Sequence, residues 1–225
     1  MWDRESLRRA LLLYVIPDRG IGAPLSLEEQ TRLALDGGAT AIQLRDKSMD
    51  GGELLETAKR MGALCREKGV LFIVNDRLDV ALLSGADGVH LGQSDLPAAE
   101  VRRLAHRPFV IGASAHTARE ARDAEAAGVD YLGVGAVFGT GSKGDAKVIG
   151  VAGCRETTKR TSLPCAAIGG IALDNLAEVM SAGVDGVSVI SAVVQGDVRE
   201  RAATMIKVLT ILTKYTEPTQ KTNDK

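Results

Sequence analysis

The chain has 225 residues, of which 45% are hydrophobic and only 3% aromatic, and its formal net charge is −1. This length and apolar content are enough for one domain with a buried core, or at most two. The near-zero charge argues against nucleic acid and anionic membranes as partners, because both are usually bound by a basic patch.

The first apolar run and the cysteines indicate where the protein resides. ALLLYVI (residues 10–16) resembles a short signal peptide, but Pro17 and Asp18 end it without a small-residue cleavage site, so it is interpreted as the first strand. No run reaches the roughly 18 to 20 apolar residues of a membrane span. Cys65, Cys154 and Cys165 show no CxxC spacing, which favours reduced thiols over a metal site or disulfides. We therefore predict a cytoplasmic protein.

Four similar phrases recur along the chain: GGATAIQL, SGADGVHL, AGVDYLGV and AGVDGVSV. In each phrase a glycine (Gly38, Gly85, Gly128 or Gly183) stands between a helical pattern and an apolar run, as expected for a helix that ends in the left-handed conformation before a strand. The spacings of 47, 43 and 55 residues suit two strand–helix units each. Further strands are therefore expected between the phrases.

Near-continuous apolar runs fill those positions, and apolar residues recur every three or four positions in the segments between strands. The eight strands begin near residues 11, 41, 71, 88, 109, 131, 164 and 186. Eight strand–helix units predict a single α/β domain of the (β/α)8 TIM-barrel class over residues 1–212, with a doubly wound open sheet as the alternative. The polar tail at residues 213–225 is expected to fray.

Polar residues follow most of these strands, where a barrel forms its active-site rim. Each has a structural explanation: Asp76 and Asp95 suit helix N-caps, and His116 suits a loop. Those explanations do not predict that the residues converge on one rim. The strand ends carry Gln43, Arg45 and Lys47; Asn75 and Asp76; Gln93, Ser94 and Asp95; Ser114 and His116; Thr140, Gly141, Ser142 and Lys143; Gly169 and Gly170; Ile190 and Ser191.

This combination of charges predicts a diphosphate bound together with Mg²⁺. Because Mg²⁺ takes one or two carboxylates and completes its shell with phosphate oxygens and water, Asp76 and Asp95 are the candidate ligands. The last two strand ends predict a second site, for a phosphomonoester. The remaining charge of the diphosphate would be met by Arg45, Lys47, Lys143 and the Ser114 hydroxyl.

The segments QLRDK, IVNDRLDVALLSGADGVHLGQSDLP, IGASAHT, DYLGVGAVFGTGSK, AAIGGI and GVSVISAV, in that order, resemble the thiamine-phosphate synthase family over roughly residues 11–195. The resemblance implies a transferase that joins 4-amino-2-methyl-5-pyrimidinylmethyl diphosphate to 4-methyl-5-(2-phosphooxyethyl)thiazole. The products would be thiamine phosphate and diphosphate. It also implies Mg²⁺ and a dissociative substitution, in which the C–O bond breaks before the thiazole nitrogen attacks.

The resemblance further implies which residues hold each substrate. Asp76 and Asp95 would bind the metal, and the catalytic residues would be Arg45, Lys47, Ser114 and Lys143. The pyrimidine diphosphate would contact Gln43, Leu44, Arg45, Asp46, Lys47, Asn75, Ser114 and Lys143. The thiazole phosphate would contact Thr140, Gly141, Ser142, Gly170, Ile190 and Ser191.

The chain departs from the family in one loop, where Gly139 and Ala136 stand at positions that usually hold proline. Losing both prolines predicts a less preorganised loop, by roughly 1 kcal/mol per site. Two alternatives remain, a thiazole tautomerase that uses His116 and a non-catalytic sensor of thiamine precursors. The sequence leaves the oligomeric state open, with a homo-oligomer possible.

Overall fold

The computed structural model describes residues 2–139 and 147–216, and within them eight parallel strands close into a barrel. The strands are β1 (Leu13–Val15), β2 (Ala41–Leu44), β3 (Leu71–Asn75), β4 (Gly88–Leu91), β5 (Val110–Ala115), β6 (Tyr131–Gly135), β7 (Cys165–Ile168) and β8 (Gly186–Val189). Each strand pairs with the next, and β1 pairs with β8 through Leu13↔Val187. Closure confirms the TIM barrel and excludes the open sheet.

Helices follow the strands and cover the outside of the barrel. They are α1 (Arg4–Ala10), α2 (Leu27–Asp36), α3 (Gly51–Lys68), α4 (Leu78–Ser84), α5 (Ala98–Leu104), α6 (Ala118–Ala126), α7 (Gly150–Thr158), α8 (Leu176–Met180), α9 (Ser191–Val194) and α10 (Val198–Thr216). No helix in the described ranges is long and apolar enough to cross a membrane.

The glycine phrases form the predicted junctions, because Gly38, Gly85, Gly128 and Gly183 all have a positive φ. The residue just before each even-numbered strand accepts a hydrogen bond from the backbone N–H of an odd-numbered strand at 2.8 to 2.9 Å. The pairs are Thr40 with Leu13, Asp87 with Phe72, Asp130 with Ile111, and Asp185 with Cys165. The fourth residue of each glycine phrase therefore links neighbouring strands at the amino-terminal end of the barrel.

Helix α1 was not predicted from the sequence, and it closes the amino-terminal end of the barrel. Asp3 caps it by accepting from the Ser6 amide at 2.7 Å. Leu7 and Ala10 are buried against the first residues of several strands, including Leu71. Burial of one such leucine stabilises the fold by roughly 2 kcal/mol. The first strand is accordingly shorter than the apolar run that predicts it.

Helix α10 runs to Thr216, past residue 212 at which the sequence places the end of the barrel. The Thr213 hydroxyl donates to the carbonyls of Leu209 and Thr210, so the helical pattern continues where the composition turns polar. The rest of the predicted tail, residues 217–225, lies outside the described residues. The division at 212 stays a prediction.

Strand alternation separates the interior of the barrel from the layer beneath the helices. Tyr14, Ile73 and Tyr131 belong to the buried cluster inside the barrel, whereas Val15 and Val74 pack in the cluster between the barrel and the helices. Successive side chains of a strand point to opposite faces. Odd positions of β2 and β3 and even positions of β4, β5, β7 and β8 therefore face inward.

Candidate active site

A cavity opens at the carboxyl ends of the strands, and its wall is built from inward-facing positions. Gln43, Arg45, Asn75 and Ser114, which the sequence assigns to a diphosphate substrate, all line it. They come from three strands and the segment that follows β2, and lie up to 71 positions apart along the chain. The predicted convergence of these four residues on one pocket is therefore present in the fold, while their roles stay predictions.

Arg45 is the least satisfied of these side chains. Its Nε is buried and has no hydrogen-bond partner among the described residues. A guanidinium is always charged and carries five donor hydrogens in a fixed plane. Because buried donors are normally paired, this atom is suited to an acceptor that arrives with a ligand, such as a phosphate oxygen.

The neighbours of Arg45 face elsewhere. Leu44 is buried in the layer beneath the helices. The Asp46 carboxylate accepts from the amides of Ser48 and Met49 at 2.8 and 2.9 Å and lies 3.2 Å from Arg19 Nε. Burial by itself raises the pKa of Asp46, but these hydrogen bonds outweigh it and lower the pKa overall. The structure thus leaves the side chains of Leu44 and Asp46 off the cavity wall, in line with strand alternation.

Asp76 and Asp95 line one surface depression beside the cavity, together with Leu82 and Leu96. Asp76 is held with φ at 61°, a left-handed conformation rare for a residue with a Cβ. Lys47 Nζ lies 3.8 Å from its Oδ2, which brings Lys47 to the rim although it is not on the cavity wall.

The two carboxylates fit the donor set that Mg²⁺ prefers. No group of three or more His, Cys, Asp or Glu side chains that could hold a metal ion by themselves occurs in the described part of the chain. An ion held by Asp76 and Asp95 would therefore take its other ligands from water and substrate, as Mg²⁺ commonly does. One oxygen of Asp95 accepts from the Gly92 amide at 2.6 Å, which orients the carboxylate.

Gly170, Ile190 and Ser191 line the opposite wall of the cavity, where β7 and β8 end. Gly170 has φ at 61°, and a Cβ there would lie 2.6 Å from the carbonyl oxygen of Gly139, so only glycine fits. Ala136 also lines the cavity. The remaining predicted site residues, Thr140, Gly141, Ser142 and Lys143, lie outside the described residues.

Three residues that the sequence did not indicate, Tyr14, His90 and Tyr131, connect Gln43 to Ser114 through the barrel interior. Gln43 Nε2 lies 2.6 Å from Tyr14 Oη, which lies 3.0 Å from Tyr131 Oη. His90 bridges the rest, with Nδ1 3.0 Å from Tyr131 Oη and Nε2 3.0 Å from Ser114 Oγ. We call these five residues the polar chain. Strand alternation was the available signal, since all five occupy inward-facing positions.

Two glycines make room for the polar chain. A Cβ on Gly112 would lie 2.1 Å from Cζ of Tyr131, and one on Gly133 would lie 3.0 Å from Cε1 of His90. The absence of a Cβ at these positions of β5 and β6 therefore leaves room for both rings. Burial raises the pKa of Tyr131 well above the usual tyrosine value and also raises that of Tyr14.

His116, on which the tautomerase alternative depends, also lines the cavity. Glu120 Oε2 accepts from the His116 amide at 2.7 Å and lies 3.0 Å from Nδ1 of its ring. Burial alone raises the pKa of Glu120, but the contacts with His116 lower it overall, so the carboxylate is ionised at neutral pH. The imidazole is therefore held by a charged partner.

The fold and the cavity together define a class: a single-domain (β/α)8 protein with its site at the carboxyl ends of the strands. A family profile described as thiamine monophosphate synthase matches residues 13–193. The chain therefore belongs to the thiamine monophosphate synthase family, as its motifs predict.

Individual relatives agree with this family. A thiamine-phosphate synthase of Coprothermobacter proteolyticus is 54% identical over 194 residues, which cover 86% of this chain and 92% of the relative. One of Methanocella arvoryzae is 51% identical, covering 88% of this chain and 93% of the relative. Among solved structures, a thiamine phosphate pyrophosphorylase of Pyrococcus furiosus superposes with a TM-score of 0.85 at 44% identity, covering 92% of this chain and 98% of that one.

Proposed function

We propose that the cavity couples two phosphorylated substrates, a pyrimidinylmethyl diphosphate and a thiazole phosphate, to form thiamine phosphate and diphosphate. The activity is that of a thiamine-phosphate synthase, a transferase, as the relatives and the solved structure indicate. The observation that carries the assignment of substrates to this cavity is the buried Nε of Arg45, a residue of the cavity wall, which has no partner in the described protein.

The diphosphate would lie on the side of the cavity formed by β2 to β5. Arg45 would donate to its oxygens, Lys47 would contribute charge at the rim, and Ser114 would donate its hydroxyl. Gln43 and Asn75 would hold the pyrimidine. Lys143 is added to these donors on the basis of the sequence alone. Charge-assisted hydrogen bonds to anions are about twice as strong as neutral ones, so these donors would dominate binding.

We propose Asp76 and Asp95 as the residues that hold Mg²⁺ at the depression beside the cavity. When bound, the ion would neutralise negative charge on the diphosphate and so improve it as a leaving group. Asp76 Oδ2 lies 3.8 Å from Lys47 Nζ, and the Gly92 amide donates to Asp95 and so orients that carboxylate.

In the reaction, the bond between the pyrimidine methylene carbon and the diphosphate oxygen breaks, and both electrons leave with the oxygen. The thiazole nitrogen then donates its lone pair to the carbon, and the positive charge passes from the carbon to the thiazolium ring. Arg45 and Ser114 would stabilise the negative charge that develops on the leaving oxygen. No proton has to move at the carbon, so a general base is not required.

The thiazole phosphate would be held on the side of β7 and β8 by Gly170, Ile190 and Ser191, together with Thr140, Gly141 and Ser142 from the sequence. Binding there would place the thiazole across the cavity from the diphosphate. The left-handed Gly170 lets Phe138 and the Gly139 carbonyl pack closely against it, because a Cβ there would lie within 2.7 Å of both.

The tautomerase alternative is favoured by one observation, the imidazole of His116 held by Glu120 on the cavity wall. A tautomerase does not need a diphosphate site, however. Arg45, Lys47 and the two aspartates at the same rim therefore favour the coupling reaction.

The test mixes both phosphorylated substrates with the protein and Mg²⁺ and follows diphosphate and thiamine phosphate together, with and without EDTA. We expect the two products in equal amounts, and neither after chelation. Diphosphate without thiamine phosphate would indicate hydrolysis, and the absence of both products would support the tautomerase or the sensor.

A cytoplasmic location is also proposed, on the ground that all three cysteines are free and buried. Gel filtration would measure the oligomeric state and test for a homo-oligomer.

A further inference from the structure

The polar chain has two ends on the cavity wall and a buried middle. Gln43 and Ser114 line the cavity, while Tyr131 is fully buried and Tyr14 is 2% exposed. Each of the three central groups lies between two polar partners. Buried polar groups are costly unless satisfied, so every proton in such a network has a defined place.

The number of protons restricts how the polar chain can be arranged. Burial raises the pKa of both tyrosines, so each carries one hydroxyl proton at neutral pH and donates once. With a neutral imidazole, the protons can all point from Gln43 towards Ser114 or all point the other way. A tyrosine in the middle cannot donate in both directions.

The two arrangements present different groups to the cavity. If Gln43 Nε2 donates to Tyr14, then Tyr131 donates to Nδ1 of His90, and Nε2–H of His90 donates to Ser114 Oγ. The Ser114 hydroxyl proton is then available to the cavity, and so is the Oε1 acceptor of Gln43. In the reverse arrangement Ser114 donates inward and Gln43 exposes only its NH₂ donors.

We propose that Tyr14, Tyr131 and His90 are positioning residues that orient the polar chain from Gln43 to Ser114, and thereby present an acceptor at one end and a donor at the other. This inference rests on the proposed function. A diphosphate has only acceptor oxygens at neutral pH, so it requires a donor from Ser114, and the aminopyrimidine offers amine hydrogens that require the Gln43 acceptor. Both ends of the substrate select the same arrangement.

The first experiment reads the tautomer of His90 directly, by NMR of the protein labelled with ¹⁵N-histidine. We expect Nδ1 of His90 to resonate as an unprotonated nitrogen and Nε2 as a protonated one, at neutral pH. Loss of the signals in a His90→Gln variant assigns them among the three histidines of the chain. The opposite tautomer, or a doubly protonated ring, would overturn the inference without any measurement of activity.

The second experiment is a double-mutant cycle on Tyr131 and Ser114. Tyr131→Phe removes the donor to His90 Nδ1, and we expect kcat for coupling to fall about three- to tenfold, the effect of one neutral hydrogen bond. The KM for the thiazole phosphate should not change. If Tyr131 acts through Ser114, Tyr131→Phe should have no further effect in a Ser114→Ala background.

A matched control is Thr31→Val, which removes a buried hydroxyl that donates to the Leu27 carbonyl at 2.7 Å in α2, outside the polar chain. It should leave kcat unchanged. Equal losses from Tyr131→Phe with and without Ser114 would refute the inference. If Tyr131→Phe does not fold, Tyr14→Phe takes its place in the same cycle. A wild-type protein without coupling activity would refute the proposed function alone, since the tautomer is measured independently.

Discussion

Replacing Arg45 with methionine tests the assignment of the diphosphate most directly. The substitution keeps most of the side-chain volume but removes a cation whose Nε has no partner in the described protein. Loss of a hydrogen bond to a charged group costs about 1.5 to 3 kcal/mol. At 1.4 kcal/mol per factor of ten, we expect kcat/KM for coupling to fall roughly 10- to 150-fold.

The same substitution should not destabilise the free protein. A buried donor without a partner costs about 1 to 3 kcal/mol, so its removal should leave the free energy of unfolding unchanged or increase it. Inorganic diphosphate with Mg²⁺ should raise the melting temperature of the wild type, by the equivalent of about 2.7 kcal/mol at 100 times Kd. Arg45→Met should lose most of this shift.

Steady-state coupling and thermal unfolding with and without diphosphate measure both effects. Arg60→Met serves as the matched control, because Arg60 is an exposed arginine that already pairs with Glu28 at 2.7 Å. It should retain coupling activity and the diphosphate shift. The reasoning would be refuted if Arg45→Met kept the wild-type kcat/KM, or if it unfolded more easily without ligand.

Three further predictions concern carboxylates. Asp76→Asn combined with Asp95→Asn should abolish Mg²⁺-dependent coupling, and a Mg²⁺ titration that still activates this variant would place the ion elsewhere. Asp130→Asn breaks the ion pairs of a buried carboxylate with Arg102 and Arg107 at the amino-terminal end of the barrel. It should lower the free energy of unfolding in urea by about 3 kcal/mol without changing kcat. The control Glu100→Gln, at an exposed carboxylate, should change neither quantity. Asp46 has a lowered pKa in the folded state, so its contribution to stability is present above its unfolded pKa of about 3.9 and is lost as the pH falls through the folded value. Asp46→Asn should therefore flatten the fall in the free energy of unfolding between pH 6 and about 2, as measured by denaturation. An unchanged slope would contradict this.

The regular part of the fold was predictable because it depends on short-range patterns. Gly38 and Gly85 end their helices with positive φ, as the recurring phrases indicate. The even-numbered strands begin at the predicted positions, and α3 fills the segment between β2 and β3 in which apolar residues recur every three or four positions. Helix α1 was missed because its apolar positions are few and its stability comes from contact with the barrel rather than from its own sequence.

The candidate site was predictable where the residue type carries the chemistry and the strand end gives the location. Arg45 and Ser114 follow apolar runs, and carboxyl ends of parallel strands meet at one rim, so their meeting could be expected. Leu44 and Asp46 were included by resemblance to a continuous motif. Their side chains lie off the cavity wall, which a motif read residue by residue does not show, and their roles in binding stay predictions.

By itself, the sequence determined the order of strands and helices, the glycine junctions and the set of charged groups at the rim, because periodicity and backbone sterics act over a few residues. Only the tertiary structure decided closure of the barrel and the contents of its interior. Tyr14 and Tyr131 are 117 positions apart and share a hydrogen bond at 3.0 Å. That contact requires closure to bring β1 and β6 around one interior, and a Gly112 without a Cβ to leave space for the ring.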